Sequence, residues 1–215
     1  MKKVFFFIVV IFFSELSFSQ SEKKNILTFS GIEPIFSKRF NLGYIREINE
    51  KIWLGTSVGI SQNIIGPVEE EYKNHRAFEI RPEVLYSLAP KTKAKHFVSL
   101  EGYYINVNKN IFEGRYFQKE GYTFAFDFAN YRRKTTGLNL NYSCLLNFNS
   151  SGNFGLMPKI GFGLRNNMVE YYNVQNPREV ENGIDDITLG FKNQRTQGST
   201  TGAAFVMDVK LFYRF

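Results

Sequence analysis

The stretch 203-AAFVMDVKLFYRF-215 decides the fold class, because every second residue from Ala203 to Phe215 is apolar. The residues of this apolar face are Ala203, Phe205, Met207, Val209, Leu211, Tyr213 and Phe215. The intervening positions include three charged residues, Asp208, Lys210 and Arg214. Successive side chains of a β-strand point to opposite faces, so the stretch has one apolar face and one largely polar face. That pattern is typical of a transmembrane β-barrel, in which one face meets lipid and the other meets the barrel interior.

The same alternation recurs upstream and predicts seven further strands. Six of them have apolar faces over residues 40–44, 52–60, 78–86, 98–104, 138–148 and 156–164, and a first strand near residues 26–34 has an ambiguous facing. The connections near 49–51, 89–95 and 149–153 are short. Those on the other side, near 66–74, 108–134 and 172–201, are longer, and only the first, near 35–39, is tight. Short periplasmic turns and longer extracellular loops characterise outer-membrane barrels. We therefore predict an all-β fold, a transmembrane antiparallel up-and-down β-barrel of eight strands.

Two features complicate this strand assignment. The segment from Tyr122 to Phe128 also alternates, which fits either a hairpin above the membrane or two additional strands, making ten. We favour eight strands, because residues 130–134 are too polar for a membrane-embedded segment. Pro82 and Pro158 fall within predicted strands, where proline cannot donate a hydrogen bond to its neighbour. We expect a β-bulge at each of these prolines.

The composition agrees with a barrel and excludes several classes of site. Aromatic residues make up 17% of the chain, with 23 Phe and 12 Tyr, and barrels place such residues in girdles at the membrane interfaces. The mean hydropathy of −0.26 is compatible with strands that alternate between lipid and a polar interior. The single cysteine, Cys144, excludes an intramolecular disulfide, and with two histidines a structural zinc site is not expected. We predict no cofactor.

The first segment has the pattern of a signal peptide. Lys2 and Lys3 precede a ten-residue apolar run, Val4–Phe13, and Ser17 and Ser19 stand at the −3 and −1 positions of a cleavage site. We predict a signal peptide over residues 1–19 and a single barrel domain over 20–215. The net charge of +7 is dispersed along an exported chain, so we expect contact with anionic lipopolysaccharide rather than with nucleic acid.

Leu211, Tyr213 and Phe215 resemble the C-terminal insertion signature of bacterial outer-membrane barrels. That resemblance implies that the barrel-assembly machinery reads the last strand. Together with Ser19-Gln20 at the end of the signal, the chain resembles the small outer-membrane barrels of Bacteroidetes-type bacteria, which are porin-like in a loose sense and have OmpA-type eight-stranded barrels. The resemblance implies residence in the outer membrane, with outer-membrane lipid and lipopolysaccharide as partners. It carries no catalytic residues over to this chain.

An eight-stranded barrel is narrow enough for side chains to fill its interior. The polar faces of the predicted strands contribute a set of lumen charges, namely Glu79, Arg81, Glu83, Glu101, Lys159, Arg165, Asp208, Lys210 and Arg214. Because an unpaired buried charge is costly, opposite charges in this space are expected to pair. We interpret them as a salt-bridged filling of the lumen, with an ion path as the alternative.

Candidate catalytic residues are few, and none forms a convincing set. His96 and Ser99 fall on opposite strand faces near a predicted periplasmic end, and His75 has no serine beside it in sequence. The adjacent acids Asp185 and Asp186 are typical of a solvated loop. Two acidic clusters, residues 69–71 and the group Glu179, Glu181, Asp185 and Asp186, lack the ordered spacing of a calcium loop. We predict no catalytic or metal site, and no enzymatic activity.

The sequence thus predicts a structural or surface-binding barrel that presents two extracellular loops, 108–134 and 172–201, to an unidentified extracellular ligand. A lipid-modifying enzyme or a protease of the outer membrane is one alternative. A narrow channel for a small solute is another.

Overall fold

The computed structural model describes residues 24–31, 39–61, 72–88, 95–118, 122–148, 150–180 and 195–215. Within these ranges no helix has the length and the apolarity needed to cross a membrane. The described residues form nine strands: β1 (Asn25–Ser30), β2 (Phe40–Glu47), β3 (Ile52–Ser61), β4 (Tyr72–Ser87), β5 (Lys95–Phe117), β6 (Thr123–Asn147), β7 (Phe154–Gln175), β8 (Arg178–Val180) and β9 (Gly198–Arg214). The predicted signal peptide and its cleavage residues, Ser17 and Ser19, lie outside the described residues.

Eight of the strands close into a barrel, which confirms the predicted fold class. Each of β1 to β6 pairs antiparallel with the next strand, β7 pairs with β9, and β9 pairs back with β1. The ring closes through backbone hydrogen bonds between Asn25 and Phe215, at 3.2 Å and 3.0 Å. The short strand β8 lies outside the ring and pairs with Thr123–Ala125 at the start of β6.

The ring is much taller on one side than on the other. Strand β1 has 6 residues, whereas β5, β6 and β7 have 23, 25 and 22. A tilted strand needs only about 9–11 residues to cross a bilayer. The predicted loop 108–134 is therefore wrong over 108–117 and 123–134, which extend β5 and β6 as a paired hairpin, in agreement with the first interpretation given above for the segment from Tyr122 to Phe128. Residues 172–175, 178–180 and 198–201 of the second predicted loop are likewise in strands, and 181–194 lie outside the described residues.

The two faces of the tall strands exchange their character along their length. In the lower part, the outer face is apolar and exposed, with Leu100, Leu140, Phe162 and Phe205 as examples. Higher on β5 the inward residues Ile105, Val107 and Ile111 are buried and apolar, while the outward residues are Asn106, Asn108 and Asn110. We name this upper part of β5, β6 and β7, from residue 105 of β5 upward, the wall. We name the exposed apolar outer face of the lower part the apolar belt. The thirteen residues 105–117, at ~3.3 Å each, continue β5 above the apolar belt by about 43 Å along the strand.

The expected bulges at Pro82 and Pro158 are wrong, because the register stays constant on both sides of each proline. Each proline instead coincides with a short interruption in the pairing to one of its two neighbouring strands, where no backbone N–H donor is needed. The register shifts elsewhere, next to Asn74 in β4 and Asn173 in β7. Both asparagines adopt positive φ, 55° and 53°, a conformation that asparagine tolerates better than most residues.

Candidate functional site

The lower end of the lumen is filled by hydrocarbon. Eight buried side chains from different strands pack together in one cluster: Ile26, Ile45, Trp53, Leu85, Phe97, Leu145, Met157 and Phe212. We name this cluster the apolar plug. Trp53 and Phe97 form its centre, with ring centroids 5.4 Å apart in an edge-to-face arrangement. The apolar plug was not predicted, although its members occupy inward positions near the lower strand ends.

Above the apolar plug lies a layer of buried, interacting charges. It contains four acids and four bases, namely Glu79, Glu83, Glu101, Asp208, Arg39, Arg81, Lys159 and Lys210, and we name it the charge layer. Equal numbers of each sign make the layer neutral overall. Because an isolated buried charge is strongly unfavourable, this balance is what allows so many ionic groups to fill a narrow barrel.

Lys159 is the central base of the charge layer. Its Nζ atom donates to both carboxylate oxygens of Glu83, at 2.6 Å and 2.7 Å, and to Oε2 of Glu101, at 3.0 Å. The hydroxyl of Ser99 also donates to Glu83, at 2.5 Å. The Lys159 side chain is only 1% exposed, so this contact is fully withdrawn from solvent.

Glu101 links Lys159 to the upper half of the charge layer. Its Oε1 atom accepts from Arg81 at 2.9 Å and from the Asn139 amide at 3.1 Å. Arg81 also binds Glu79, whose other oxygen lies 3.0 Å from Arg39. The layer therefore runs across the lumen as one connected set rather than as separate pairs.

Seven of the nine predicted lumen charges meet in this layer. Asp208 accepts from Ser30 at 2.8 Å, and the buried Lys210 is repelled by Lys159 and attracted by Glu83, Asp208 and Glu101. Arg165 and Arg214 also lie on the lumen side, but the prediction of a single charge network is wrong for them, since neither joins the charge layer. The distance along the strand separates them: Arg214 lies at the lower end, 5.9 Å from the Trp53 ring, and Arg165 lines a cavity above.

Arg39 was missed because it lies at the end of a connection for which the sequence gives no facing. Strand β3 lies between β2 and β4, so Arg39, directly before β2, reaches across β3 to Glu79, which is fully buried. A buried glutamate on an inward face was the available signal that another base had to be near. The pairing of β3 with β4 then decides which residue can reach it.

A cavity of about 810 Å³ opens above the charge layer, between the layer and the inner face of the wall, and we name it the vestibule. Its lining contains five basic residues that do not belong to the charge layer, namely Lys109, Arg115, Arg133, Arg165 and Arg195. Among the described residues, the acid in its lining is Glu113. Tyrosine rings hold two of the bases that border the vestibule: Lys109 lies 5.2 Å from the centroid of Tyr131, and Arg81 lies 5.1 Å from that of Tyr103.

The histidines occupy two different environments. His96 lies on the outer face, with Nδ1 2.6 Å from the hydroxyl of Tyr142, while Ser99 points into the lumen, so the two do not meet. His75 lines the vestibule, and its Nδ1 atom lies 3.2 Å from the hydroxyl of Ser61. No serine is next to His75 in sequence, but the pairing of β3 with β4 brings Ser61 to it in the structure.

Within the described part of the chain, no three His, Cys, Asp or Glu side chains are grouped so that they could hold a metal ion. Glu179 lies exposed in β8, and Glu181, Asp185, Asp186 and residues 69–71 lie outside the described residues. The predicted insertion residues Leu211 and Tyr213 face outward on β9 and are exposed, and Phe215 follows the strand with its ring stacked on Tyr213, at a centroid distance of 6.1 Å.

Comparisons with known proteins do not identify a family for this chain. No family model matches the chain, and no curated protein matches it. CarO of Acinetobacter baumannii matches at 9% identity and a TM-score of 0.39, over 92% of this chain and 100% of CarO. A major outer membrane protein from Thermus thermophilus matches at 13% identity and a TM-score of 0.36, over 89% of this chain and 99% of that protein.

Proposed function

We propose that this chain is an outer-membrane β-barrel with a sealed lumen, which acts at the cell surface as a structural or binding protein through the wall and the vestibule. The observation that carries this proposal is the combination of two filled layers in the lumen with strands that continue far beyond the apolar belt. A barrel that served as an open pore would not need an apolar plug and a charge layer in series.

The apolar belt supports membrane residence. Exposed outward side chains in the lower half of the ring include Leu164 at 67%, Phe162 at 66% and Phe205 at 73%. Large contiguous apolar surfaces are unfavourable in water, and here the belt coincides with the height of strand that crosses a bilayer. Above it the outward residues become asparagines and charged groups, as expected where a strand leaves the membrane.

The orientation follows from the lengths of the connections. The turn at Ile48–Lys51 is tight, with Asn49 Oδ1 accepting from the backbone amides of Lys51 and Ile52, at 3.0 Å and 2.9 Å. Outer-membrane barrels keep short turns on the periplasmic side and long extensions outside. In this orientation the wall and the vestibule face the exterior, and Leu211, Tyr213 and Phe215 lie at the periplasmic end, where the assembly machinery and lipid would meet them.

Cysteine labelling on whole cells tests the orientation and surface display. In a Cys144→Ser background, Gln118→Cys at the tip of the β5–β6 hairpin should react with a membrane-impermeant maleimide on intact cells. The matched variant Glu50→Cys, in the opposite turn, should react only after the outer membrane is permeabilised. Labelling of Glu50→Cys on intact cells, or protection of Gln118→Cys, would contradict the orientation.

Planar-bilayer recording tests the seal. We expect the wild-type protein, shown to be folded by its faster migration on an unheated gel, to give no steady current at either polarity. The apolar plug blocks water, and the charge layer leaves no free counter-charge for an ion to exchange with. A reproducible conductance from folded protein would favour the narrow-channel alternative.

One observation favours a second candidate, a hydrolase of the outer membrane. Ser61 and His75 have the separation of a nucleophile and a general base, and His75 lines the vestibule. Our proposal treats the contact as a hydrogen bond that orders the β3–β4 hairpin. Ser61→Ala and His75→Gln should leave the lipid A profile of the cell and the hydrolysis of ester and peptide substrates unchanged, and loss of a wild-type hydrolytic activity in both variants would establish the enzyme.

A further inference from the structure

We propose that the vestibule is a binding site for a small polyanion, a solute carrying two or more phosphate, sulfate or carboxylate groups. The proposal deepens the surface-binding function, but the binding itself does not depend on the membrane orientation proposed above. The two can therefore fail separately: labelling tests the orientation, and binding in detergent solution tests the site.

The described lining of the vestibule is predominantly basic. The vestibule lining places Lys109, Arg115, Arg133, Arg165 and Arg195 around one cavity, against Glu113. The charge layer beneath is already neutral, so it offers no excess of acid to offset these bases. A cleft lined by one sign of charge and walled by apolar groups concentrates the field and raises the local concentration of ions of opposite sign. This cavity therefore attracts anions.

Most of these basic residues are arginines. Four of the five are arginines, whose planar guanidinium groups present paired N–H donors that match the oxygens of phosphate and carboxylate groups. Arg165 Nε is buried and has no hydrogen-bond partner among the described residues. Since a buried donor without an acceptor is unfavourable, an oxyanion in the cavity would complete the bonding of this side chain.

The sheet leaves space around Arg165. In the register of β6, β7 and β9, Arg165 lies between two glycines, Gly137 on one side and Gly202 on the other. A β-carbon on Gly137 would lie 2.5 Å from the hydroxyl of Tyr103, so the ring of Tyr103 occupies the place of the missing side chain. The glycines let the Arg165 side chain and the Tyr103 ring share one level of a narrow barrel.

The charge layer closes the lower end of the vestibule. Beneath the vestibule, Arg81 and Arg39 are engaged by Glu79, and Arg81 also binds Glu101. The cavity thus ends on a filled layer containing four carboxylates, which bars passage of an anion toward the apolar plug. A polyanion enters from the wall side, binds, and leaves by the same route, which is the behaviour of a receptor site rather than of a channel.

Isothermal titration calorimetry with inorganic pyrophosphate, on folded protein in a neutral detergent at low ionic strength, tests the proposal. We expect saturable binding that weakens as salt is added, and no binding of glucose or spermidine. Arg133→Gln and Arg165→Gln should each lower the affinity by about tenfold, because each removes a charge-assisted donor. The matched control is Arg132→Gln, one residue from Arg133 but on the outer face, where Arg132 donates to Asn108 at 3.2 Å. It should bind like the wild type.

Folding of each variant is checked by its mobility on an unheated gel and by the fluorescence of Trp53. The proposal is overturned if wild type gives no binding, or if Arg132→Gln weakens pyrophosphate binding as much as Arg133→Gln does. It is also overturned if binding appears only in Glu181→Gln/Asp185→Asn/Asp186→Asn, because the chain's own acids would then be the occupant. Competition by lipopolysaccharide micelles would support the site with lipid phosphates as the natural source, and lack of competition would support it with a free solute.

Discussion

Replacing Lys159 by methionine removes the central base of the charge layer while nearly preserving its volume. Glu83 then loses the cation that contacts both of its oxygens, and Glu101 keeps Arg81. Breaking a buried ion pair by removing one partner costs about 3–5 kcal/mol, because a charge is left without compensation. The loss of two charge-assisted interactions at about 1.5–3 kcal/mol each gives an overlapping range, about 3–6 kcal/mol. We therefore expect Lys159→Met to lower the free energy of unfolding by about 3–5 kcal/mol.

Urea unfolding from lipid vesicles, followed by tryptophan fluorescence, measures this loss directly. Trp53 is the single tryptophan of the chain and is fully buried in the apolar plug, next to the charge layer. With a slope of about 1–3 kcal/mol per molar urea, a loss of this size moves the midpoint down by about 1–5 M. Lys51→Met, in the exposed turn between β2 and β3, is the matched control and should not move it.

A double-mutant cycle separates the ion pair from simple packing. Glu83→Gln in the Lys159→Met background restores equal numbers of acids and bases in the charge layer, so most of the lost stability should return. A midpoint for Lys159→Met within the error of the wild type would refute the reasoning. So would a double variant less stable than Lys159→Met itself, since the destabilisation would then not arise from an uncompensated carboxylate.

Three further predictions concern the belt, the backbone and the plug. Phe205→Arg should lower the folding yield in vesicles, since arginine facing lipid costs about 2–4 kcal/mol near the bilayer centre, whereas Gln175→Arg at the exposed top of β7 should fold normally on unheated gels. Gly163→Val should destabilise by about 1–3 kcal/mol in urea, because its β-carbon would overlap the carbonyl oxygen of Leu138, which is held in the sheet. Trp53 emission should resist quenching by iodide in the folded protein and become fully accessible in urea; easy quenching of folded protein would show that water enters the lower lumen.

The barrel was predictable because apolar residues at every second position indicate, for each strand, which face lies in an apolar environment. The eight strands and their short turns follow from that pattern, down to the facing of Leu138 against Asn139. The height of β5 and β6 was missed for a related reason. From Ile105 upward the alternation continues with its faces exchanged, so a reading that requires apolar residues on the outer face ends the strand at Tyr104.

The sequence contains a signal for the apolar plug. Leu145, Met157 and Phe212 all stand at inward positions next to the predicted lower strand ends, where both faces of the strand are then apolar. Such a doubly apolar segment means that the interior, too, is dry at that height. The contacts between Ser61 and His75 and between Arg39 and Glu79 were beyond reach, because they depend on the register across connections whose length fixes no alignment.

The order of layers along the lumen argues for where activity resides. From the lower end upward the interior is first apolar, then ionic and neutral, and then basic and open. The first two layers stabilise a narrow barrel at the expense of transport, since filling the lumen removes the path. The basic residues of the vestibule differ from these two layers, because like charges around one cavity repel each other and destabilise the fold. They occur where the wall begins and where the outer face turns polar, so the one region of the described structure that carries this electrostatic cost is also the region that solutes can reach.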